Sequence, residues 1–201
     1  KDLETNPYAG AIVGPVMNRL ANARAPLDDA VLAFEANEGV NLLHSGSLGL
    51  HSMIWSIAEH SERSVTMTLA LSPDAFPGHR DIQVMYRLDG SDLVVEIEGT
   101  TDAPTLMNVG WHPFWTMSGH DRRGHEMTIH AEQYLPMDGG NIPTGEVKSV
   151  DGTALDYRVA RGPSEDVDHC FVLPFSQGMK AAVTLESEEL SLQVLTDAPA
   201  I

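Results

Sequence analysis

The chain carries a single cysteine, Cys170, among 201 residues. One thiol supports neither an internal disulfide framework nor a cysteine-based zinc site. It fits a reducing compartment. Basic residues are also scarce: 12 Lys and Arg stand against 29 Asp and Glu, for a formal net charge of −17. So acidic a chain repels phosphate backbones and anionic headgroups, and neither a nucleic-acid nor a membrane partner is expected. Long apolar runs are missing. No stretch nears the roughly 18 residues of a membrane span, and the opening Lys1-Asp2-Leu3-Glu4 has no signal-peptide character. A cytoplasmic location is the expectation that follows. An initiator Met is absent and the chain stops abruptly at Ile201, so the 201 residues are expected to be a portion of a longer protein, cut at both ends.

Several chemical signatures are absent too. Gly46-Ser47-Leu48-Gly49 lacks the lysine and the following helix of a phosphate-binding loop. Ser45 and Ser47 around one glycine do not make a nucleophile elbow. No two histidines stand at helical metal spacing with an acid between them. His120, His125 and His130 read as solvated loop or strand-end residues, and no metal site is expected.

What remains is globular. Apolar residues make up 42% and charged residues 20%, which separates the chain from disordered sequences. A chain of this length buries about 70% of the surface it exposes when unfolded. One domain spanning 1–201 is the simplest organisation. Period-two alternation dominates. Val65, Met67, Leu69 and Leu71 share one face, as do Ile82, Val84, Tyr86 and Leu88, and then Leu93, Val95 and Ile97. Asp89-Gly90-Ser91 joins the second and third runs as a hairpin turn. Residues 181–186 and 190–196 repeat the pattern. Strands so spaced predict an antiparallel β-sandwich or barrel. A short helix is expected only over 26–36, and residues 16–25 read as an irregular or short helical turn.

The chemistry-bearing residues sit in loops rich in Gly, Pro and aromatics: Asn18-Arg19, His44, His112 and Asp168-His169. Each has an ordinary explanation on its own. Arg19 fits a surface ion pair, His44 a turn cap, His112 a core imidazole and Asp168 a turn brace. Together they suit a sugar. Arg, Asn and Asp supply paired donors and acceptors for hydroxyls. Trp111, Phe114 and Trp115 offer an aromatic wall for the apolar ring face. Histidine exchanges protons near neutral pH.

The motifs around these residues resemble the aldose 1-epimerases (galactose mutarotases). The segment from Tyr8 to Asn22 is similar to the family's Gly-x-x-x-Gly…Asn-Arg-Ile-Ala stretch. Leu43-His44-Ser45-Gly46, with Gly49 and Trp55 following, is similar to its Leu-His-Gly-Gly. Asp102 to Asn108 and Trp111-His112-Pro113-Phe114 resemble its Thr-x-x-Pro-Thr-x-x-Asn…Asn-His-x-Tyr-Phe. Ala131 to Asp138 with Ile142 to Glu146, and then Asp168-His169-Cys170-Phe171, resemble two further blocks. The matches run in family order from Tyr8 to Thr196.

The resemblance implies a large antiparallel β-sandwich of the galactose mutarotase-like type. It implies interconversion of the α and β anomers of a free aldohexose such as galactose or glucose, without a cofactor. His112 then corresponds to the general acid at the ring oxygen and His44 to the histidine that assists there. Arg19 and Asp168 correspond to residues that hold sugar hydroxyls, with Asn18 in support. The family's general base, a Glu after the strand that here reads 190–196, matches nothing in the chain. Glu186, Glu188 and Glu189 fit no family motif, so the base is expected beyond Ile201. Ser45 stands at a family glycine, Trp111 at an Asn and Pro15 at an Arg, which leaves the preferred sugar open. Two alternatives accompany this reading: a non-catalytic sugar-binding module on the same fold, and a hexose-phosphate 1-epimerase. The second would need extra cations such as Arg122 and Arg123.

Overall fold

Alternating apolar residues make strands because successive side chains leave a strand on opposite faces, so one face can be buried against a core. The computed structural model of the chain describes residues 6–117, 123–164 and 167–201. His120 and Arg122 lie outside the described residues. The chain divides into two compact units, Lys1–Phe114 and Trp115–Ile201. Strands are antiparallel wherever they form ladders, and no α-helix occurs among the described residues.

The first unit contains β1 (Ile12–Val13), β2 (Arg19–Leu20), β3 (Arg24–Leu27), β4 (Ala30–Ala33), β5 (Leu42–Leu43), β6 (Ser56–His60), β7 (Ser64–Leu71), β8 (Arg80–Asp89), β9 (Asp92–Thr101) and β10 (Gly110–Trp111). Its main sheet has the order β6-β7-β8-β9. Register stacks Met67, Val84 and Ile97 in one row and Val65, Tyr86 and Val95 in another. The hairpin expected at 89–91 is present, with Asp89 opposite Asp92 and Gly90 at φ 63°. Ile82, Val84, Leu50 and Ile12 form the buried centre, with Leu69, Trp55, Met107 and Trp111 packed around it.

The helix expected over 26–36 is not formed. Strands β3 and β4 pair instead, Leu27 opposite Ala30, and Asp28 turns the chain at φ 50°. Asp accepts that left-handed turn more readily than most residues. Phe34 then lies 4.6 Å from Phe76, ring to ring. The reading of 16–25 as irregular or briefly helical fits the short 3₁₀ turn at Ala21–Ala23 that follows β2.

The second unit contains β11 (Glu126–Ile129), β12 (Gln133–Leu135), β13 (Lys148–Ser149), β14 (Cys170–Val172), β15 (Lys180–Glu186) and β16 (Ser191–Thr196). Its sheets run β11-β15-β16 and β13-β12-β14. Ile129, Val150, Tyr157, Phe171, Leu173 and Ala182 make its core. His125 is buried here, against the expectation of a solvated residue. Its Nε2 accepts the Met117 N–H at 2.9 Å. His130 is exposed and meets the Thr184 hydroxyl at 3.0 Å.

Candidate active site

Strands β2 and β5 pair with Arg19 opposite Leu43, and that register brings Asn18 beside His44. The two residues are joined twice. The His44 backbone N–H donates to the Asn18 carbonyl at 3.0 Å, and the Asn18 N–H donates to His44 Nδ1 at 3.1 Å. A backbone amide can only donate, so Nδ1 must hold its lone pair. The proton of neutral His44 therefore sits on Nε2, and the ring presents an N–H donor there.

Burial and the neighbouring His112 and Arg19 depress the His44 pKa to about 4, although Glu38 pulls the other way. His44 is thus neutral at pH 7. It offers a hydrogen bond, not a mobile acidic proton.

The backbone that carries His44 is unusual. His44, Ser45 and Gly46 all lie in the left-handed region, at φ 48°, 66° and 53°. Ser45 is buried, and its hydroxyl accepts the Val16 N–H at 2.9 Å and donates to the Val16 carbonyl at 3.1 Å. Asn37 braces the other side, bonding both the N–H and the carbonyl of Leu43.

His112 follows β10, which pairs with β1 as Trp111 opposite Ile12. The pairing continues through His112, whose N–H donates to the Ala11 carbonyl at 2.9 Å and whose carbonyl accepts from Gly10 at 2.8 Å. Alternation then sends adjacent side chains to opposite faces. Trp111 joins the core, edge-on to Tyr86, and donates its indole N–H to the Gly10 carbonyl at 3.1 Å. Of the aromatic wall expected from the sequence, Trp111 is thus half-buried against the core. Phe114, exposed, keeps its place at 5.3 Å from the His112 ring.

The two imidazoles meet edge to face, with centroids 5.3 Å apart. Tyr8 touches both, at 4.6 Å from His44 and 6.4 Å from His112. A third histidine, His51, lies edge-on to Tyr8 at 4.8 Å, and burial lowers its pKa. The Nδ1 atoms of His112 and His51 are buried without a hydrogen-bond partner. Tyr8 and His51 were not singled out as site residues by sequence reasoning. Their contacts come from chain segments that no local spacing relates.

Arg19 is nearly buried and meets Glu38 through two hydrogen bonds, Nε to Oε2 at 2.5 Å and an Nη to Oε1 at 2.8 Å. A second Nη lies 3.4 Å from Asn18 Oδ1. Pairing with Arg19 holds Glu38 below the usual carboxylate range. Sequence reasoning missed Glu38 as well. Nineteen positions separate it from Arg19, and only the β2–β5 pairing brings them together.

Four of the five sequence-derived site residues, Asn18, Arg19, His44 and His112, thus belong to the first unit. The fifth, Asp168, belongs to the second, where it is exposed just before β14. The adjacent His169 lies edge-on to Tyr134 at 5.7 Å, with a buried Nδ1 lacking a partner. Among the described residues, no group of three His, Cys, Asp or Glu side chains is placed to hold a metal ion. No helix among them is long and apolar enough to cross a membrane.

Known proteins resemble the chain in sequence and in fold. The profile of the family described as aldose 1-epimerase matches residues 1–201. The aldose 1-epimerase of Escherichia coli K12 is 34% identical over 216 residues, covering 96% of this chain and 62% of that protein. The galactose mutarotase of Bos taurus is 38% identical over 162 residues, covering 78% of this chain and 47% of that one. The chain therefore spans less than two thirds of the length of these relatives. Among solved structures, an aldose epimerase homologue from C. elegans superposes with a TM-score of 0.90 at 24% identity, covering all of this chain and 67% of that one. A galactose 1-epimerase from Lactobacillus acidophilus gives 0.83 at 25% identity, covering 97% and 63%. The fold is the antiparallel, all-β, galactose mutarotase-like one.

Proposed function

The chain belongs to the aldose 1-epimerase family, and we propose that its His44–His112 pair opens and recloses the ring of a free aldose such as galactose or glucose. Ring opening needs a proton at the ring oxygen and loss of a proton from the C1 hydroxyl. Rotation about C1–C2 and closure on the other face then give the second anomer. The open form is a neutral aldehyde, but making one proton transfer without the other passes through a charged species, and a positioned acid that avoids it contributes about 10²–10⁴-fold in rate.

The observation that carries the proposal is the fixed tautomer of His44, set by the Asn18 amide, beside the His112 ring. It divides the labour between two like side chains. His44 stays neutral and donates a steady Nε2–H bond to the sugar. His112 is the ring that delivers and recovers the proton. A positive charge on one imidazole opposes charge on the other, so only one serves as acid. Arg19 and Asn18 bond sugar hydroxyls beside them. Glu38 is a poor candidate for the base, because pairing with Arg19 lowers its basicity. No residue of the 201 is assigned that role. The names of the relatives favour galactose as a first substrate to try.

The test is polarimetry on freshly dissolved α-D-galactose with the intact protein. Wild type is expected to speed the drift to equilibrium, and His112→Ala to lose at least about 100-fold of that acceleration. A wild-type rate equal to that of buffer, with galactose still bound, would replace the catalytic reading with that of a binding module.

A further inference from the structure

We infer that Glu38 is a specificity-determining residue, which makes this site select neutral sugars and reject anionic ones such as uronates and sugar phosphates. The inference rests on the reading above that Arg19 borders the sugar. An arginine fork matches carboxylate and phosphate oxygens in two parallel hydrogen bonds, and a nearly buried guanidinium recruits such anions strongly. Arg19 is so placed, with 11% of its side chain exposed. Its Nε and one Nη, however, already meet both oxygens of the Glu38 carboxylate.

The pairing is built into the fold. Glu38 and Asn41 form a tight backbone turn, in which the Asn41 N–H donates to the Glu38 carbonyl at 2.9 Å. Asn37, one residue earlier, is bonded to Leu43 in β5, the strand that pairs with Arg19. The carboxylate is thus held by anchored chain on both sides. Arg19 and Glu38 act in opposite directions on the His44 imidazole, the first lowering and the second raising its pKa.

Two consequences follow. An incoming hydroxyl meets a guanidinium whose charge is matched, so the site bonds it without a net field. An incoming carboxylate or phosphate meets the Glu38 charge beside the arginine that would have bound it, and like charges at a few ångströms in a half-buried setting repel strongly. The overall charge of −17 acts in the same direction at longer range.

The experiment measures dissociation constants of D-galactose, D-galacturonate and D-glucose 6-phosphate for the intact wild type, Glu38→Gln and Glu38→Asp. Wild type is expected to bind galactose more tightly than either anion. Glu38→Gln should shift the anion-to-galactose affinity ratio toward the anions by about 10-fold. Glu38→Asp, which keeps the charge, should retain the wild-type preference. A loss of structure alone would weaken all three ligands together and leave the ratio unchanged. An unchanged ratio in a Glu38→Gln protein with the wild-type melting temperature would overturn the inference. Wild-type binding of galacturonate as tight as that of galactose would overturn it without any variant. Wild type that binds no galactose at all would instead overturn the sugar-site reading beneath it.

Discussion

Ser45 shows how one side chain sets the site. Its φ of 66° is left-handed, a conformation that costs a residue with a Cβ about 1–2 kcal/mol. The hydroxyl offsets that cost by satisfying both the N–H and the carbonyl of buried Val16. Alanine keeps the strain and drops both bonds, leaving a buried amide unpaired. Ser45→Ala is therefore expected to lose about 2 kcal/mol of stability in urea unfolding. Ser45→Gly should lose less, because glycine relieves the backbone. An unchanged unfolding midpoint for Ser45→Ala would show that the hydroxyl contributes nothing.

His44 yields a pH prediction at the same scale. Its pKa is about 4 in the folded chain and about 6.5 when unfolded. Between those values the unfolded chain binds the proton and the native chain does not, so stability rises with pH. The contribution is complete above about pH 6.5 and is lost as pH falls toward 4. Comparing urea midpoints at pH 7 and pH 4.5 isolates it: wild type should lose more stability on acidification than His44→Gln. Nitrogen NMR at pH 7 should show the proton on Nε2. A His44 that titrates near 6.5 would contradict the buried, neutral assignment.

The site residues were legible in the sequence to different degrees, and the reason is physical. Asn18, Arg19, His44 and His112 stand in short Gly- and Pro-rich segments whose order is preserved, so local motif and role travel together. Glu38, Tyr8 and His51 meet these residues, or one another, only across segments distant in sequence, Glu38 at Arg19, Tyr8 at His44 and His51 at Tyr8. No one-dimensional spacing reports those pairings. Trp111, an aromatic in a polar motif, reads as a sugar platform. Strand alternation beside His112 packs it, half-buried, against the core.

At the scale of the element, the turn after β5 is the part most sensitive to bulk. Gly49 has ordinary extended backbone at φ −71°, so conformational freedom is not what it supplies. A Cβ there would sit 2.4 Å from His51 Cε1 and 2.7 Å from the His44 carbonyl oxygen. The imidazole can move, but the carbonyl belongs to the strained run that aims His44. Gly49→Ala is thus expected to keep the fold and to lower kcat/KM for galactose by about 10-fold or more, since misplacement near 1 Å can cost 10²-fold. Wild-type kinetics in this variant would show that the turn has slack. The long strands β7, β8 and β9 were readable from alternation alone, because one face of each carries a run of at least three apolar residues. The β3–β4 hairpin was not. Its four-residue strands are too short to show a period, and Pro26 followed by two acids mimics the start of a helix.

At the scale of the whole molecule, composition limits what the site can serve. A charge of −17 with 12 basic residues disfavours anionic ligands before any pocket is considered, and the Arg19–Glu38 pair repeats that preference locally. Fold class was legible from the sequence, since alternation and turn residues recur along its length. Family membership then followed from motif order and was met by the comparisons. The central claim remains the cooperation of two histidines on one oxygen. Its most direct test is anomer exchange in equilibrated galactose, followed by NMR with wild type, His44→Ala, His112→Ala and the double variant. Groups that act in one step are strongly non-additive. Each single variant should lose about 100-fold or more in exchange rate, and the double variant should be little worse than the poorer single. Single variants as fast as wild type, or losses that multiply in the double variant, would contradict the account.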